Sequence, residues 1–358
     1  MSKTIIILLV IGVLGFVLLK NLPAGKQSQN NFQEPQQTDI PAVSTIATGL
    51  EVPWALAFLP FDSAQDEPDM LVTERKGTVR LIKDGKLQEN PVAKISVKQA
   101  GESGLHGIAV DPAFNKNNLI YLYYTYSDSG NQTLNRVSQF KYGKQNLSDE
   151  KIIVDKIPGA IFHDGGRIKF GPDGFLYVTT GDALDPSRSQ DKNSLAGKIL
   201  RVVNGNVEVY SYGHRNPQGI TWDQKGNLWE TEHGNSATDE VNLIIQGKNY
   251  GWPVVKGDEK TLNMESPKIH SGSETWAPAG AAFLNESIYF GGLRGQALFQ
   301  FNPETNQLKE YFKGEFGRIR DVVVGPDNML YITTSNRDGR GNSSSDDDKI
   351  IKVNPLKL

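Results

Sequence analysis

A short motif recurs along this chain and limits what it can fold into. Its clearest copies are Pro172-Asp173-Gly174-Phe175-Leu176-Tyr177-Val178-Thr179-Thr180 and Pro326-Asp327-Asn328-Met329-Leu330-Tyr331-Ile332-Thr333-Thr334. A third is Gln224-Lys225-Gly226-Asn227-Leu228-Trp229-Glu230-Thr231. Weaker copies begin at Asp69, Asn118 and Glu286. Pro-Asp-Gly makes a tight turn, because proline presets φ and glycine accepts φ > 0. The β-branched and aromatic residues that follow prefer a strand. Marker residues Val72, Tyr121, Tyr177, Trp229, Tyr289 and Tyr331 are separated by 49, 56, 52, 60 and 42 positions. Strand-only units at that spacing predict propeller blades. The expected fold is all-β, a six-bladed β-propeller over residues 43–358.

Composition narrows the chemistry. Lysine plus arginine is 38 against 41 acidic residues, a net charge of −3, which argues against a nucleic-acid partner. Cysteine is absent, so disulfides, thiolate metal sites and a cysteine nucleophile are excluded. Residues 4–19 form an uncharged apolar run between Lys3 and Lys20. Its length lies between a signal-peptide core and a spanning helix. Residues 1–20 are therefore expected to be a signal peptide or, by preference, an uncleaved membrane anchor. Residues 21–42 are polar and rich in Gln and Asn, as in a flexible tether. Both readings place the body outside the cytoplasm, in the periplasm or at the cell surface.

Propellers gather ligands at one channel mouth, so site residues are expected at blade intervals. Phe162-His163-Asp164-Gly165-Gly166-Arg167 sets a group that titrates near neutrality among glycines. It suits a general base and reads equally as a turn histidine. Asp182, at the exit of the next strand, suits the carboxylate that fixes such a base's tautomer, and reads by itself as a turn-capping aspartate. Arg215-Asn216, in a Gly/Pro-bounded loop, offers donors to a carboxylate-rich ligand or ties blades together. Glu232 to Asn242, followed by Asn249-Tyr250-Gly251-Trp252-Pro253, supplies oxygens that suit a hard cation such as calcium, and reads equally as loop capping. Arg318 and Arg320 share one face of an extended segment and want an anion, or pair with Asp321. Arg294 is another glycine-framed cation, and Glu102 lies in a glycine-rich loop opening the second blade. Ser343 to Asp348 reads as a solvated loop. No G-x-S-x-G, P-loop or H-E-x-x-H occurs.

In this order the motifs resemble the soluble quinoprotein glucose/aldose sugar dehydrogenase family, which uses pyrroloquinoline quinone (PQQ) and calcium. The likeness spans Thr45 to Val353. It is carried by Val52-Pro53-Trp54-Ala55-Leu56-Ala57-Phe58, the loop around His106, His163 to Arg167, Gly213 to Gly219, Asp239 to Asn242, Asn249 to Pro253, and Arg318 to Asp321. The resemblance implies a six-bladed propeller with His163 as catalytic base and Asp182 beside it. It implies that Arg215, Asn216, Arg318 and Arg320 bind the cofactor. Arg294 falls where the family often carries lysine, and Glu102 where it often carries glutamine. Gly234 and Asn235 would hold a calcium beside the cofactor, and Glu240 and Tyr250 a second, structural one. The implied reaction oxidises an aldose to its lactone and hands electrons to an external acceptor. Two alternatives use the same fold without PQQ: a metal-dependent lactonase, and a module binding glycans or proteins.

Overall fold

The computed structural model describes residues 42–60 and 67–358. The expected anchor, and all of the expected tether except Ala42, lie outside them. Among the described residues no helix is long and apolar enough to cross a membrane.

Six antiparallel sheets follow one another along the chain, so the fold is the all-β six-bladed propeller. The innermost strands of blades 1 to 6 are Pro53–Phe58, Leu105–Val110, Ile168–Phe170, Pro217–Trp222, Pro278–Leu284 and Ile319–Val324. The second strands are Met70–Glu74, Leu119–Ser127, Leu176–Thr180, Leu228–Glu232, Ser287–Gly292 and Leu330–Thr334. Every marker residue of the sequence repeat falls on one of them. Blades pack face to face, so most second strands are buried along their whole length. That double burial explains their continuous apolar and aromatic character. Each blade boundary holds its own core. Trp54 and Leu71 meet Leu105 and Ile120 between blades 1 and 2. Phe290 meets Trp229 between blades 5 and 4. Met70 and Val72 of blade 1 close on Tyr331 and Ile350 of blade 6.

The repeat has a side-chain explanation beyond turn propensity. In four blades the turn aspartate accepts a hydrogen bond from the aromatic marker that follows it. The pairs are Tyr121–Asp111 at 3.1 Å, Tyr177–Asp173 at 2.9 Å, Trp229–Asp223 at 3.1 Å and Tyr331–Asp327 at 3.1 Å. Each bond ties the turn to the strand it launches.

The ring closes through strand exchange. Val43–Ala47, from the start of the body, is the outer strand of blade 6 and pairs with Ile350–Val353. Asp348 reinforces this closure and Asp347 braces the loop beside it, which corrects their reading as part of a solvated loop. Both are buried. Asp348 exchanges backbone hydrogen bonds with Leu50, and its carboxylate accepts from Val52 N (3.1 Å), Thr334 Oγ1 (3.1 Å) and Asn336 N (2.5 Å). A carboxylate buried at a seam is retained because its oxygens are spent on such donors.

The direction of the strands positions the site. All six innermost strands start at one mouth, and the second strands return to it. The turn motifs lie at the opposite rim. The functional mouth is therefore built from residues just before first strands and just after second strands, at blade intervals.

Candidate active site

His163 precedes blade 3 and Asp182 follows its second strand, so the sheet folds them together. His163 has φ of 63° and is followed by Gly165 and Gly166, also with positive φ. That tight course passes against Gly181, where a Cβ would lie 1.9 Å from His163 O. Only glycine allows the two segments to touch. His163 Nδ1 lies 2.8 Å from Asp182 Oδ1. The other carboxylate oxygen accepts Trp252 Nε1 at 2.9 Å. Arg215 Nη2 donates to His163 Nε2 at 3.0 Å. A guanidinium has no lone pair to offer, so Nε2 accepts and Nδ1 carries the proton toward Asp182. This is the tautomer a general base needs.

Arg215 is the hub of the pocket wall. Its Nη1 donates to Gly234 O at 2.6 Å and His233 O at 3.2 Å, and its guanidinium lies 5.4 Å from the Trp252 ring. Asn216 Oδ1 accepts Gly165 N at 3.1 Å, so this buried amide clamps the His163 turn to blade 4. Glu232 fixes the Arg215-Asn216 backbone from below, with its other oxygen on His214 Nδ1 at 2.9 Å.

Arg318 and Arg320 approach from blade 6. They do not pair with Asp321, which instead holds Arg167 at 3.0 Å in the channel. Their carboxylate is Asp338, which sequence reasoning missed. Arg318 Nε and Nη2 donate to Asp338 Oδ2 at 3.0 and 2.7 Å. Arg320 Nη1 donates to Gln218 Oε1 at 2.7 Å, and burial pushes its pKa down to about 9. Arg75, from the exit of blade 1, is a further cation that the sequence did not single out. Desolvation by burial lowers its pKa also, against the pull of Asp338 and Glu102. A signal existed: Arg75 follows a second strand, as Asp182 does.

Glu102 forms an ion pair with Arg340 that joins the loops of blades 2 and 6. Burial would raise the Glu102 carboxyl, but His233, Arg340 and Arg320 outweigh it and hold it below the usual range. Arg294 is exposed, and its side chain has no hydrogen bond or ion pair among the described residues. Its neighbour Leu293 accepts Arg318 Nη1 at 3.0 Å through its carbonyl.

The mouth is rich in donors without acceptors. Arg75 Nε, Arg215 Nε and Arg320 Nε are buried and have no partner among the described residues. His233 Nε2 is likewise unpartnered, and burial lowers the pKa of this imidazole to about 4. Buried donors are rarely left unpaired. Their common requirement is an anion with several oxygens.

The oxygen-rich segment lies behind this wall. Gly234 N donates to Asp239 Oδ1 at 2.8 Å, and Asp239 Oδ2 accepts Thr275 Oγ1, Trp276 N and Ala277 N. Asp239 thus shapes the loop that carries Gly234 and the exposed Asn235. Glu240 accepts Gly257 N at 2.9 Å and Asn242 Nδ2 at 3.2 Å. Burial, then the charge of Glu232, raises its pKa to about 7. The Tyr250 hydroxyl is committed to Leu243 O and Ile245 N, and its ring stacks on His214 at 4.9 Å. Glu230 Oε1 and Asn242 Oδ1, opposite each other across two strands, are buried acceptors without a donor. Together with Glu232 and Glu240 they form an oxygen-rich set in want of positive charge.

The propeller and this mouth define a class, an all-β enzyme scaffold with a histidine–carboxylate pair set against a wall of arginines. The chain belongs to the Glucose / Sorbosone dehydrogenase family, whose model matches residues 50–343, and it is an oxidoreductase of that family. Aldose sugar dehydrogenase YliI of Escherichia coli is 28% identical over 87% of this chain and 92% of its own. The PQQ-bound aldose sugar dehydrogenase of Streptomyces coelicolor is 35% identical. It superposes with a TM-score of 0.79 over 87% of this chain and 98% of its own.

Proposed function

We propose that this protein is a PQQ- and calcium-dependent aldose dehydrogenase that oxidises the anomeric carbon of a sugar to the lactone. The observation that carries the reading is the set of unpartnered buried donors on Arg75, Arg215 and Arg320, beside a base held in the correct tautomer. PQQ carries three carboxylates, so its charge and oxygen count suit those donors. Arg215, Asn216, Arg318 and Arg320 would hold it, with Arg75 added from the structure. Glu102 and Arg294 stand at the edge of that set.

The quinone, when bound, supplies hydride acceptance. His163 Nε2 takes the proton of the anomeric hydroxyl. Asp182 keeps Nδ1 protonated and stabilises the imidazolium that results. Gly234 and Asn235 would offer backbone oxygens to a calcium beside the cofactor. Glu240 and Tyr250 would serve a second calcium, and the unpartnered oxygens of Glu230 and Asn242 next to them support a cation there. The electrons leave to an external acceptor. The apolar run of residues 4–19 supports export, with the body tethered to the membrane outside the cytoplasm. Arginines facing the mouth favour this reading over a lactonase, whose calcium needs carboxylates there.

The test is PQQ binding to the purified chain, with and without calcium, followed by dye reduction with a panel of aldoses. Calcium-dependent binding with sugar-driven reduction is expected. No binding at micromolar PQQ would sink the reading.

A further inference from the structure

The Arg215 guanidinium is bound only by neutral acceptors. It spans Gly234 O, His233 O and His163 Nε2, and Nε is buried without a partner. No carboxylate lies within hydrogen-bond or ion-pair distance of it among the described residues. Asp182, Glu232 and Asp239 act on it only from further away. A half-buried cation held by carbonyls and an imidazole is easily redirected, because an anion offers it more than these neutral groups do.

Two of its acceptors matter to the proposed chemistry. Gly234 O is one of the oxygens offered to calcium, and His163 Nε2 is the lone pair of the base. Calcium binds oxygen at about 2.3–2.6 Å. A guanidinium nitrogen already lies 2.6 Å from Gly234 O. Both cations on one carbonyl would stand within a few ångströms of each other in a half-buried site, where like charges repel. One must give way.

Resting on the dehydrogenase reading, we propose that Arg215 is a stand-in cation. It occupies the calcium oxygen and caps the lone pair of the base, and it withdraws from both when a cofactor carboxylate draws it away. Calcium and cofactor then load with positive coupling. Each raises the affinity of the other by the same factor, as linkage requires. The base is uncapped in the same movement, so a sugar reaching a partly loaded site meets a masked histidine. Arg215 is here a gating residue as well as a cofactor ligand.

The test measures calcium binding by titration calorimetry on the purified full chain in detergent, with and without PQQ, for the wild type and the R215Q and R215K forms. The Glu240 site is common to all forms and cancels in the comparison. In the wild type, PQQ is expected to raise calcium affinity about ten-fold or more, within the range of ordinary coupling. R215Q is expected to bind calcium about ten-fold tighter than the wild type without PQQ. R215K guards against misfolding, because it keeps the charge but replaces the two-nitrogen fork with a single ammonium. It is expected to fall between the other two. An independent readout is the rate at which diethyl pyrocarbonate modifies His163, followed by mass spectrometry of its peptide. That rate should rise several-fold in R215Q. Equal calcium affinity in wild type and R215Q without PQQ overturns this inference alone. Failure of calcium and PQQ to bind any form overturns the dehydrogenase reading and this inference with it.

Discussion

Trp252 Nε1 donates to Asp182 at 2.9 Å, on the oxygen that His163 does not use. The carboxylate behind the base is therefore gripped on both sides, by blade 3 and by the long loop between the third and outer strands of blade 4. Gln190 Nε2 in turn holds Trp252 O at 2.6 Å. The orientation of His163 depends on a chain of contacts that crosses two blades.

D182N is expected to lower kcat for aldose oxidation by about 10²–10⁴-fold, the range of a lost acid–base function. W252F leaves the carboxylate in place but removes one of its hydrogen bonds. It should cost about ten-fold, near the lower end for a hydrogen bond to a charged group. Steady-state dye reduction on both forms checks the order. Wild-type turnover in D182N would remove Asp182 from the mechanism.

Arg320 is buried, retains an unpartnered Nε and has its pKa pushed down to about 9 by burial. It still carries its charge at neutral pH, at a cost to the fold. R320Q should weaken PQQ binding by about 10–100-fold, the worth of a charge-assisted hydrogen bond. The melting temperature of the cofactor-free chain should not fall, because the site stores a strain that function requires. Fluorescence titration and a thermal melt separate the two effects. A large loss of stability with unchanged affinity would make Arg320 a structural residue.

Asp348 joins the last blade to the first. D348A leaves Val52 N, Asn336 N and Thr334 Oγ1 without their acceptor. Buried groups left unsatisfied cost about 1–3 kcal/mol each, so a loss of about 3 kcal/mol or more is expected in urea unfolding. An unchanged midpoint would mean that the strand exchange of Val43–Ala47 alone holds the ring.

How much of this was legible in the sequence follows from where information is local. The blade repeat was legible because each turn and its strand are consecutive, and the Asp–aromatic bonds lie within ten residues or fewer. His163 and Asp182 were legible because glycines and a strand exit mark them. Asp338 and Arg75 were not. Both follow second strands as Asp182 does, and Asp338 meets Arg318 of its own blade, but no histidine or adjacent glycine pair beside them marks a chemical role. The acidic run at 346–348 misled for a different reason. Charge in sequence suggests solvent, while the buried donors that hold Asp348 come from Val52 and Asn336, far apart along the chain.

Asp164, next to the base, supplies the last prediction. It is buried and accepts from Asn135 Nδ2 (2.9 Å), Ala160 N (3.0 Å) and Ser103 Oγ (3.1 Å). Burial raises its pKa to about 7 despite these donors. An acid whose folded pKa lies above its unfolded value binds more protons when folded. Its contribution to stability is therefore full below the unfolded value, near 3.8, and is lost as pH rises toward about 7. Across that window this one group should tilt the unfolding free energy downward by up to about 1.4 kcal/mol per pH unit. D164N preserves the network, since an amide oxygen can accept from Asn135 and Ala160 while its nitrogen donates to Ser103 Oγ. Urea unfolding of both forms at pH 4, 5.5 and 7 measures the difference. The wild type should lose ground relative to D164N with each step, and parallel curves would mean that Asp164 stays ionised throughout.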